Sequence, residues 1–150
     1  SNKILFKFDN ILFQSRLLNG TFPDTSRLIP DTFELEIKTD LDELYSVIDR
    51  AALLTSEKEK NVIKFETNEN EAIVSSNTPE IGRVEERLAI TKNNDKEIKI
   101  AFSSKFMMEA LKTINSKDIR ILLNSDIKPI ILKTDETENL IQLLLPIKTY

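Results

Sequence analysis

The chain has 150 residues, and its 25 acidic and 21 basic side chains leave a net charge of −4 at pH 7, a balance that argues against tight nucleic-acid binding over the whole surface. It contains no cysteine and no histidine, which excludes disulfides, thiol catalysis and zinc–thiolate sites and removes the commonest general base and metal ligand. No run approaches the ~18 apolar residues of a membrane span, so the sequence predicts a cytoplasmic, non-catalytic protein without a cofactor or a metal.

The first thirty residues predict a β-hairpin. Apolar residues alternate over 3–8, a second largely apolar stretch covers 11–18, and Asp9-Asn10 separates the two. A two-residue polar turn between such stretches is typical of a hairpin. Because an isolated hairpin is marginally stable in water, we expect residues 1–30 to be the end of a domain that begins outside this sequence.

From residue 31 onward, one order of elements occurs twice. Each copy begins with an alternating strand, continues with a helix and ends with three strands. The strands are predicted at 33–37, 61–67, 71–76 and 82–91 in the first copy and at 98–102, 118–124, 129–134 and 139–147 in the second, with helices at 41–54 and 104–115. A duplicated β-α-β-β-β unit predicts an α+β fold with antiparallel sheets and both helices on one face.

The first helix has a clear start signal and an unusual end. Asp40 is predicted as its N-cap, and Glu43 follows three residues later, close to a capping box. Leu53 and Leu54 lie off the apolar stripe at about 100° per residue. They either pack on a neighbouring loop at a frayed end or form an apolar contact for another subunit. The stripe itself consists of Leu41, Leu44, Tyr45, Ile48, Ala51 and Ala52.

The second helix is predicted to begin at an N-cap formed by Ser103 or Ser104. Its sequence divides into a core face and an outward face, and an outward face of mixed polarity is ordinarily just solvated. The predicted core face comprises Phe106, Met107, Ala110, Leu111 and Ile114, and the outward face comprises Lys105, Met108, Glu109 and Lys112.

The acidic side chains suggest an alternative to a non-catalytic protein. In this hypothesis the chain is a free-standing α+β domain that acts as an acidic hydrolase or a metal-assisted nuclease. Such chemistry needs paired carboxylates or a site with oxygen ligands for a metal. Most of the acidic residues fall in predicted turns or alternate along strands, where exposure to solvent accounts for them. The candidates are Glu57, Glu59, Glu66, Glu69, Glu71, Glu85, Glu86, Asp135, Glu136 and Glu138.

Two segments place prolines beside apolar residues outside the regular elements. The first reads Phe-Pro-Asp-x-x-x-Leu-x-Pro over residues 22–30, and the second reads Leu-Pro-x-Lys-Thr-Tyr over residues 145–150. Proline fixes φ and removes a backbone donor, so such segments keep a shape without joining a sheet, as the wall of a groove requires. In both motifs the chain resembles the bacterial sliding clamp, the β subunit of DNA polymerase III.

The resemblance covers nearly the whole chain and implies how it is divided. Residues 1–30 resemble the end of the clamp's second domain, and residues 31–150 resemble its complete third domain. In that family, two three-domain chains form a homodimeric ring around duplex DNA that tethers DNA polymerase and raises its processivity. The resemblance implies a DNA replication subunit with no catalytic residues, which is a homodimer at full length and a monomer as this portion.

The resemblance also implies a groove between the second and third domains. DNA polymerase, the clamp loader and repair proteins dock there through a motif close to Gln-x-x-Leu-Phe. Phe106 stands where the family often has an aromatic hydroxyl, Pro129 replaces a small polar residue of some members, and Lys148 takes a position often held by Arg. The matching groove positions are Pro23, Arg27, Leu28, Phe106, Ile127, Pro129, Leu143, Leu144, Leu145, Pro146 and Ile147.

Two further surfaces follow from the same resemblance. Leu53 and Leu54 match the head-to-tail interface of the ring. Arg50, Lys105 and Lys112 match the faces that line the central hole. These cations would contact phosphates loosely, and phosphate contacts carry no sequence information.

Overall fold

The computed structural model describes residues 2–22, 24–56, 60–79, 82–137 and 139–149. Within these ranges the predicted order of two β-α-β-β-β copies is confirmed, with one additional short strand, β7, at the end of the first copy. The strands are β1 (Lys3–Phe8), β2 (Ile11–Arg16), β3 (Leu35–Asp40), β4 (Val62–Thr67), β5 (Glu71–Thr78), β6 (Gly82–Ala89), β7 (Thr91–Lys92), β8 (Lys99–Ser103), β9 (Asp118–Leu123), β10 (Ile130–Lys133) and β11 (Gln142–Leu144), and the helices are α1 (Leu41–Ala52) and α2 (Ser104–Leu111).

The predicted hairpin is present as β1 and β2, which form a two-stranded antiparallel sheet of their own. Phe6 lies opposite Phe13, with ring centroids 6.1 Å apart. β2 ends at Arg16, two residues before the predicted end. Every residue of both strands is exposed, so this hairpin has no core of its own within the described chain.

The two larger sheets are built by exchange of strands between the copies. The first sheet has the order β11-β10-β9-β3-β7, and the second has the order β6-β5-β4-β8. β3 opens the first copy but pairs with β9 of the second, where Ile37 faces Ile121. β8 opens the second copy but pairs with β4 of the first, where Phe65 faces Ile100. Because each copy completes a sheet of the other, the two copies share one core.

The core lies under the two helices, which contact each other, and α1 also packs against strands of both sheets. Alternation in β3 buries Leu35 and Ile37 on the inner face, as a half-covered strand requires. Phe65 and Phe102 from adjacent strands pack with ring centroids 6.3 Å apart. Burial of such side chains stabilises the fold by roughly 1.5–3 kcal/mol each.

The start of α1 is as predicted. The Asp40 carboxylate accepts the Glu43 N–H at 3.0 Å, which satisfies one of the free donors of the first turn. The helix ends at Ala52, two residues earlier than expected. Val47 is buried although the predicted stripe omitted it, because strands of both sheets pack against α1 and widen its covered face.

The prediction for α2 is wrong in two respects. The helix ends at Leu111, four residues early, although Ile114 is still buried beyond its end. Phe106 is exposed, whereas Met108 packs partly against the core. Both side chains lie about 100° from Met107 on the helix surface, so periodicity alone does not distinguish them, and the neighbouring elements decide which one is covered.

The strands that close the two copies also differ from the prediction. The stretch 82–91 breaks at Ile90, whose N–H donates to the Asn70 carbonyl at 3.0 Å. After the break, β7 crosses to the other sheet and pairs with β3. In the second copy, β11 covers 142–144 instead of 139–147, which leaves the following residues outside the sheet.

Candidate binding groove

The terminal segment 145–149 forms one wall of a groove. β11 pairs with β10 at the edge of the five-stranded sheet, and Leu144 is buried there as an anchor. The chain then passes to the edge of the other sheet, where the Ile147 N–H donates to the Ala101 carbonyl at 2.7 Å. Leu145 lies between these two attachments and is 70% exposed, so the segment is held while its apolar side chain faces solvent.

The second wall is α2 and the turn before β4. Ser103 occupies the N-cap position of α2, but its side chain makes no capping hydrogen bond. Instead, the Ser104 N–H donates to the Asn61 carbonyl at 2.9 Å. Lys60 and Asn61 both have positive φ, 61° and 51°, a conformation that few non-glycine residues adopt. The turn is thereby fixed against the first residue of the helix, beside Phe106, which is 63% exposed.

A side-chain hydrogen bond joins the two walls at their far end. The Gln142 Nε2 donates to the Thr113 Oγ1 at 2.7 Å. The open groove between the walls has a volume of about 850 Å³, which lies within the range of ligand sites in proteins. Its lining comprises Lys60, Asn61, Ser103, Lys105, Phe106, Glu109, Ala110, Thr113, Gln142, Leu143, Leu144, Leu145, Pro146 and Ile147.

The chemistry of this groove suits an extended apolar peptide. Its lining includes leucine, isoleucine, proline and phenylalanine side chains together with charged and amide groups. The segment 145–149 belongs to no strand, so its backbone groups are suited to main-chain hydrogen bonds with a bound segment. The groove therefore combines pockets for side chains with donors and acceptors for a backbone.

The structure brings only part of the predicted groove together. Ile127 lines an adjoining cavity of about 490 Å³ that shares Ile147 with the first. Arg27 and Leu28 are exposed and line neither cavity, and the Arg27 guanidinium lies 3.4 Å from the Asp24 carboxylate. Pro129 is half-buried outside both linings, and Pro23 lies outside the described residues. The predicted residues that meet in the larger cavity are Phe106, Leu143, Leu144, Leu145, Pro146 and Ile147.

Sequence reasoning missed the remaining lining residues. Glu109, Ala110 and Thr113 follow Phe106 by three, four and seven residues, so the assignment of Phe106 to the groove was the signal that could have found them. The contribution of Lys60 and Asn61 depends on their left-handed backbone, for which the sequence carries no such signal. Lys105 was assigned to a DNA-facing surface, and its side chain lies on the groove wall.

The end of α1 forms a separate surface. Leu53 is 76% exposed and Leu54 is half-buried. Two hydroxyl groups of β5 hold this end, since the Ser76 Oγ donates to the Ala51 carbonyl at 2.7 Å and the Thr78 Oγ1 donates to the Leu54 carbonyl. The helix end is thus ordered by β5, and the Leu53 side chain projects from it largely into solvent.

Two of the three cations predicted to face DNA, Arg50 and Lys112, have partners within the chain. The Arg50 guanidinium donates to the Glu86 carboxylate at 2.8 Å, and this hydrogen bond raises the pKa of Arg50 above its ordinary value. The Lys112 ammonium lies 5.7 Å from the centre of the Tyr45 ring, within the range of a cation–π contact. Both contacts are at the surface and leave the two cations accessible to solvent.

Most of the described carboxylates that were candidates for hydrolase or nuclease chemistry form ion pairs. Glu66 pairs with Lys99 at 3.0 Å and Glu71 with Arg87 at 2.7 Å, and Asp135 lies 3.0 Å from Arg120. Glu57, Glu59 and Glu138 lie outside the described residues. Within the described ranges, no three or more acidic side chains are grouped so that they could hold a metal ion.

The arrangement of two cross-paired antiparallel sheets under two adjacent helices defines an α+β domain of the sliding-clamp type. Residues 26–148 match the family described as DNA polymerase III beta subunit, C-terminal domain. The chain therefore belongs to the family of bacterial DNA polymerase III β subunits, the sliding clamps, and the resemblance inferred from its two proline-bearing motifs is confirmed.

Individual relatives agree with this family. The chain is 43% identical over 150 residues to the beta sliding clamp of Staphylococcus aureus strain Mu50, covering all of this chain and 40% of that protein. The crystal structure of the DNA polymerase sliding clamp from Bacillus subtilis matches with a TM-score of 0.89 at 39% identity, over 100% of this chain and 40% of that one. A sliding clamp from Bartonella birtlesii bound to griselimycin shares the fold, with a TM-score of 0.92 at 22% identity over 99% of this chain and 39% of that one.

The chain spans about two-fifths of the length of these relatives. Within its described residues, no helix combines the length and apolar character that crossing a membrane demands.

Proposed function

We propose that this chain is the C-terminal portion of a ring-shaped processivity factor of bacterial replication. In this proposal residues 1–30 end the second domain of the clamp, and residues 31–150 form its third domain. The family match over 26–148 and the 40% coverage of the relatives support the division. The exposed apolar faces of β1 and β2 also support it, because such faces are covered in a stable sheet.

The third domain contributes a docking groove for replication partners in this proposal. The observation that carries it is the apolar cavity between α2 and the segment 145–149. In this proposal the cavity binds the Leu and Phe side chains of a motif close to Gln-x-x-Leu-Phe, which DNA polymerase, the clamp loader and repair proteins carry. Burial of two such side chains contributes roughly 1.5–3 kcal/mol each. A full clamp is expected to reach about −8 kcal/mol, which corresponds to micromolar affinity. These 150 residues alone are expected to bind more weakly, because in this proposal they carry only the end of the second domain.

A fluorescence titration with a labelled Gln-x-x-Leu-Phe peptide tests the groove. We expect Phe106→Ala and deletion of residues 145–150 to abolish binding, because each removes one wall. Arg50→Glu is the matched control and is expected to bind as the parent does, since that side chain pairs with Glu86 away from the cavity. Circular dichroism verifies the folding of all variants. A folded tail deletion that binds as tightly as the parent contradicts the site assignment.

We further propose that Leu53 and Leu54 form the head-to-tail contact of the full-length homodimer. The ordered helix end and the 76% exposure of Leu53 support this role. This portion lacks the domain that would face the two leucines, so we expect a monomer in analytical ultracentrifugation at micromolar concentration. Changing both leucines to alanine in the full-length chain should open the ring, because an apolar anchor at an interface contributes about 2 kcal/mol or more. A tight dimer of the present chain contradicts this assignment.

DNA contact is the remaining part of the proposed function. Arg50 and Lys112 would approach phosphates loosely inside a closed cytoplasmic ring that has no catalytic activity of its own, whereas Lys105, which lines the groove, would be shared between the two surfaces. Without a ring, a chain of net charge −4 is expected to show no measurable duplex binding near physiological salt, where dedicated proteins bind non-specifically with Kd of roughly 10⁻⁴–10⁻⁶ M. Submicromolar, sequence-dependent affinity in an anisotropy titration would instead indicate a dedicated DNA-binding domain.

A further inference from the structure

The linker between the hairpin and the third-domain body contains an Asn19-Gly20 pair. Both residues are exposed, and neighbouring Leu18 is 95% exposed. Among the described residues, no hydrogen bond holds the Asn19 amide or the Gly20 N–H. Gly20 has φ +113°, and no atom lies within 4 Å of the position a β-carbon would take.

These features leave the Gly20 backbone nitrogen, a nucleophile, free to reach the Asn19 side-chain carbonyl carbon, an electrophile. The backbone nitrogen of Gly20 lies four bonds from the Asn19 Cγ, so attack closes a five-membered ring. Side chains of ordinary residues hinder this approach, but glycine has none and its backbone moves freely. Exposed loop segments without packing are also where chemical change of the chain concentrates.

We propose that Asn19-Gly20 is a site of spontaneous deamidation and isoaspartate formation in this protein. The Gly20 nitrogen forms a bond to the Asn19 Cγ, the Cγ–Nδ2 bond breaks, and Nδ2 leaves as ammonia with the proton released by the Gly20 nitrogen. The product is a succinimide. Water then opens the ring at one of its two carbonyls, which gives either aspartate or isoaspartate, and no oxidant or enzyme is needed.

Other asparagines of the chain provide internal comparisons. The Asn124 side chain is held on both sides, since its Oδ1 accepts the Glu34 N–H at 2.9 Å and its Nδ2 donates to the Thr32 carbonyl at 3.0 Å. Asn115 is exposed like Asn19, but Ser116 follows it and places a β-carbon next to the attacking nitrogen. The geometry therefore ranks the three sites, with Asn19 fastest and Asn124 slowest.

The modification changes the linker and leaves the body intact. Each product adds one negative charge ahead of the Asp24–Arg27 ion pair, and isoaspartate also inserts one methylene into the main chain. Because Asn19 and its described neighbours are exposed, the thermal unfolding of the modified and unmodified protein should coincide.

Incubation of the protein at 37 °C and increasing pH in ¹⁸O-labelled water tests the proposal. Trypsin cleaves after Arg16 and Arg27 and releases the peptide 17–27, which electron-transfer fragmentation separates into aspartyl and isoaspartyl forms. We expect this peptide to convert first, with one ¹⁸O incorporated, with isoaspartate present and with a rate that rises with pH. Asn19→Gln should remove the conversion, and Gly20→Ala should slow it several-fold.

Two results would overturn the assignment. One is a peptide 17–27 that stays unmodified while the peptide containing Asn115 converts, which would show that the linker amide is protected. The other is conversion to aspartate alone with no isoaspartate, which would indicate direct hydrolysis instead of ring closure. Gly20→Ala with an unchanged rate would equally contradict attack by the Gly20 nitrogen.

Discussion

The two copies of the β-α-β-β-β unit have the same order of elements, but their helices, helix caps and closing strands differ. In the first copy, α1 has twelve residues and a side-chain cap from Asp40, and the strand β6 has eight residues. In the second, α2 has eight residues and no side-chain cap, and β11 has three residues. The shortened elements of the second copy leave Phe106 and the segment 145–149 free to enclose a cavity. The candidate groove thus arises where the second copy departs from the first, and departures from local regularity are expected at functional sites.

The largest effect should come from separating the copies. β3 needs β9 and β4 needs β8, so neither half of the body contains a complete sheet. We expect residues 31–95 and 96–150, expressed separately, to lack cooperative thermal unfolding and dispersed amide resonances, and to regain both when mixed. A half that unfolds cooperatively by itself would show that the two copies are independent.

Substitution of equivalent core residues tests whether the copies contribute equally. Leu44 of α1 and Met107 of α2 are both fully buried, so each change to alanine should lower the free energy of unfolding by about 2–5 kcal/mol. Phe106→Ala, one residue from Met107 on the exposed side, is the control and should change it by no more than about 0.5 kcal/mol. Urea titration measures all three. A large loss of unfolding free energy from Phe106→Ala would instead indicate that this ring is part of the core.

The helix caps offer a finer comparison of the two copies. The Asp40 side chain accepts the Glu43 N–H, so Asp40→Ala should cost about 0.5–2 kcal/mol. The Ser103 side chain makes no corresponding bond, and Ser103→Ala should cost clearly less. Thermal unfolding of the two variants side by side measures the difference, and equal losses would mean that the cap contributes nothing specific to α1.

The smallest expected effect is a pH dependence of stability that arises from ion pairs between the two copies. Lys38 of β3 lies 3.1 Å from Asp118 of β9, and this contact, together with the charge of Asp135, raises the pKa of Lys38 above its ordinary value of 10.5. A raised pKa contributes stability that is present below pH 10.5 and is lost as pH rises through the higher folded value.

Lys38→Met should therefore flatten the alkaline limb of a plot of melting temperature against pH. Lys64→Met, at an exposed strand position without an ion pair in the described residues, should leave that limb unchanged. The pairs on this face are solvent-exposed, so added salt should weaken the effect. An alkaline limb unaffected by Lys38→Met would assign the dependence to another group.

The sequence predicted more of the fold than of the candidate site. Alternation, the Asp40 cap and the order of elements follow from local chemistry, and these predictions hold. The stretch 83–91 contains no glycine or proline, so its sequence does not reveal that the chain changes sheets at Ile90. Phe106 and Met108 are equivalent by periodicity, and only packing against α1 and the sheets separates them. At the groove, the motif over 145–150 identified one wall, whereas the left-handed turn at Lys60 and Asn61 has no comparable signal.

The bond from the Ile147 N–H to the Ala101 carbonyl has a consequence for self-association. β8 is the outer strand of its sheet, and an uncovered outer strand is a template for pairing with another chain. The segment after β11 lies across that strand and occupies one of its acceptors. A ligand that binds on top of the segment keeps the strand covered, whereas one that displaces it would uncover a surface on which two copies of the protein could aggregate.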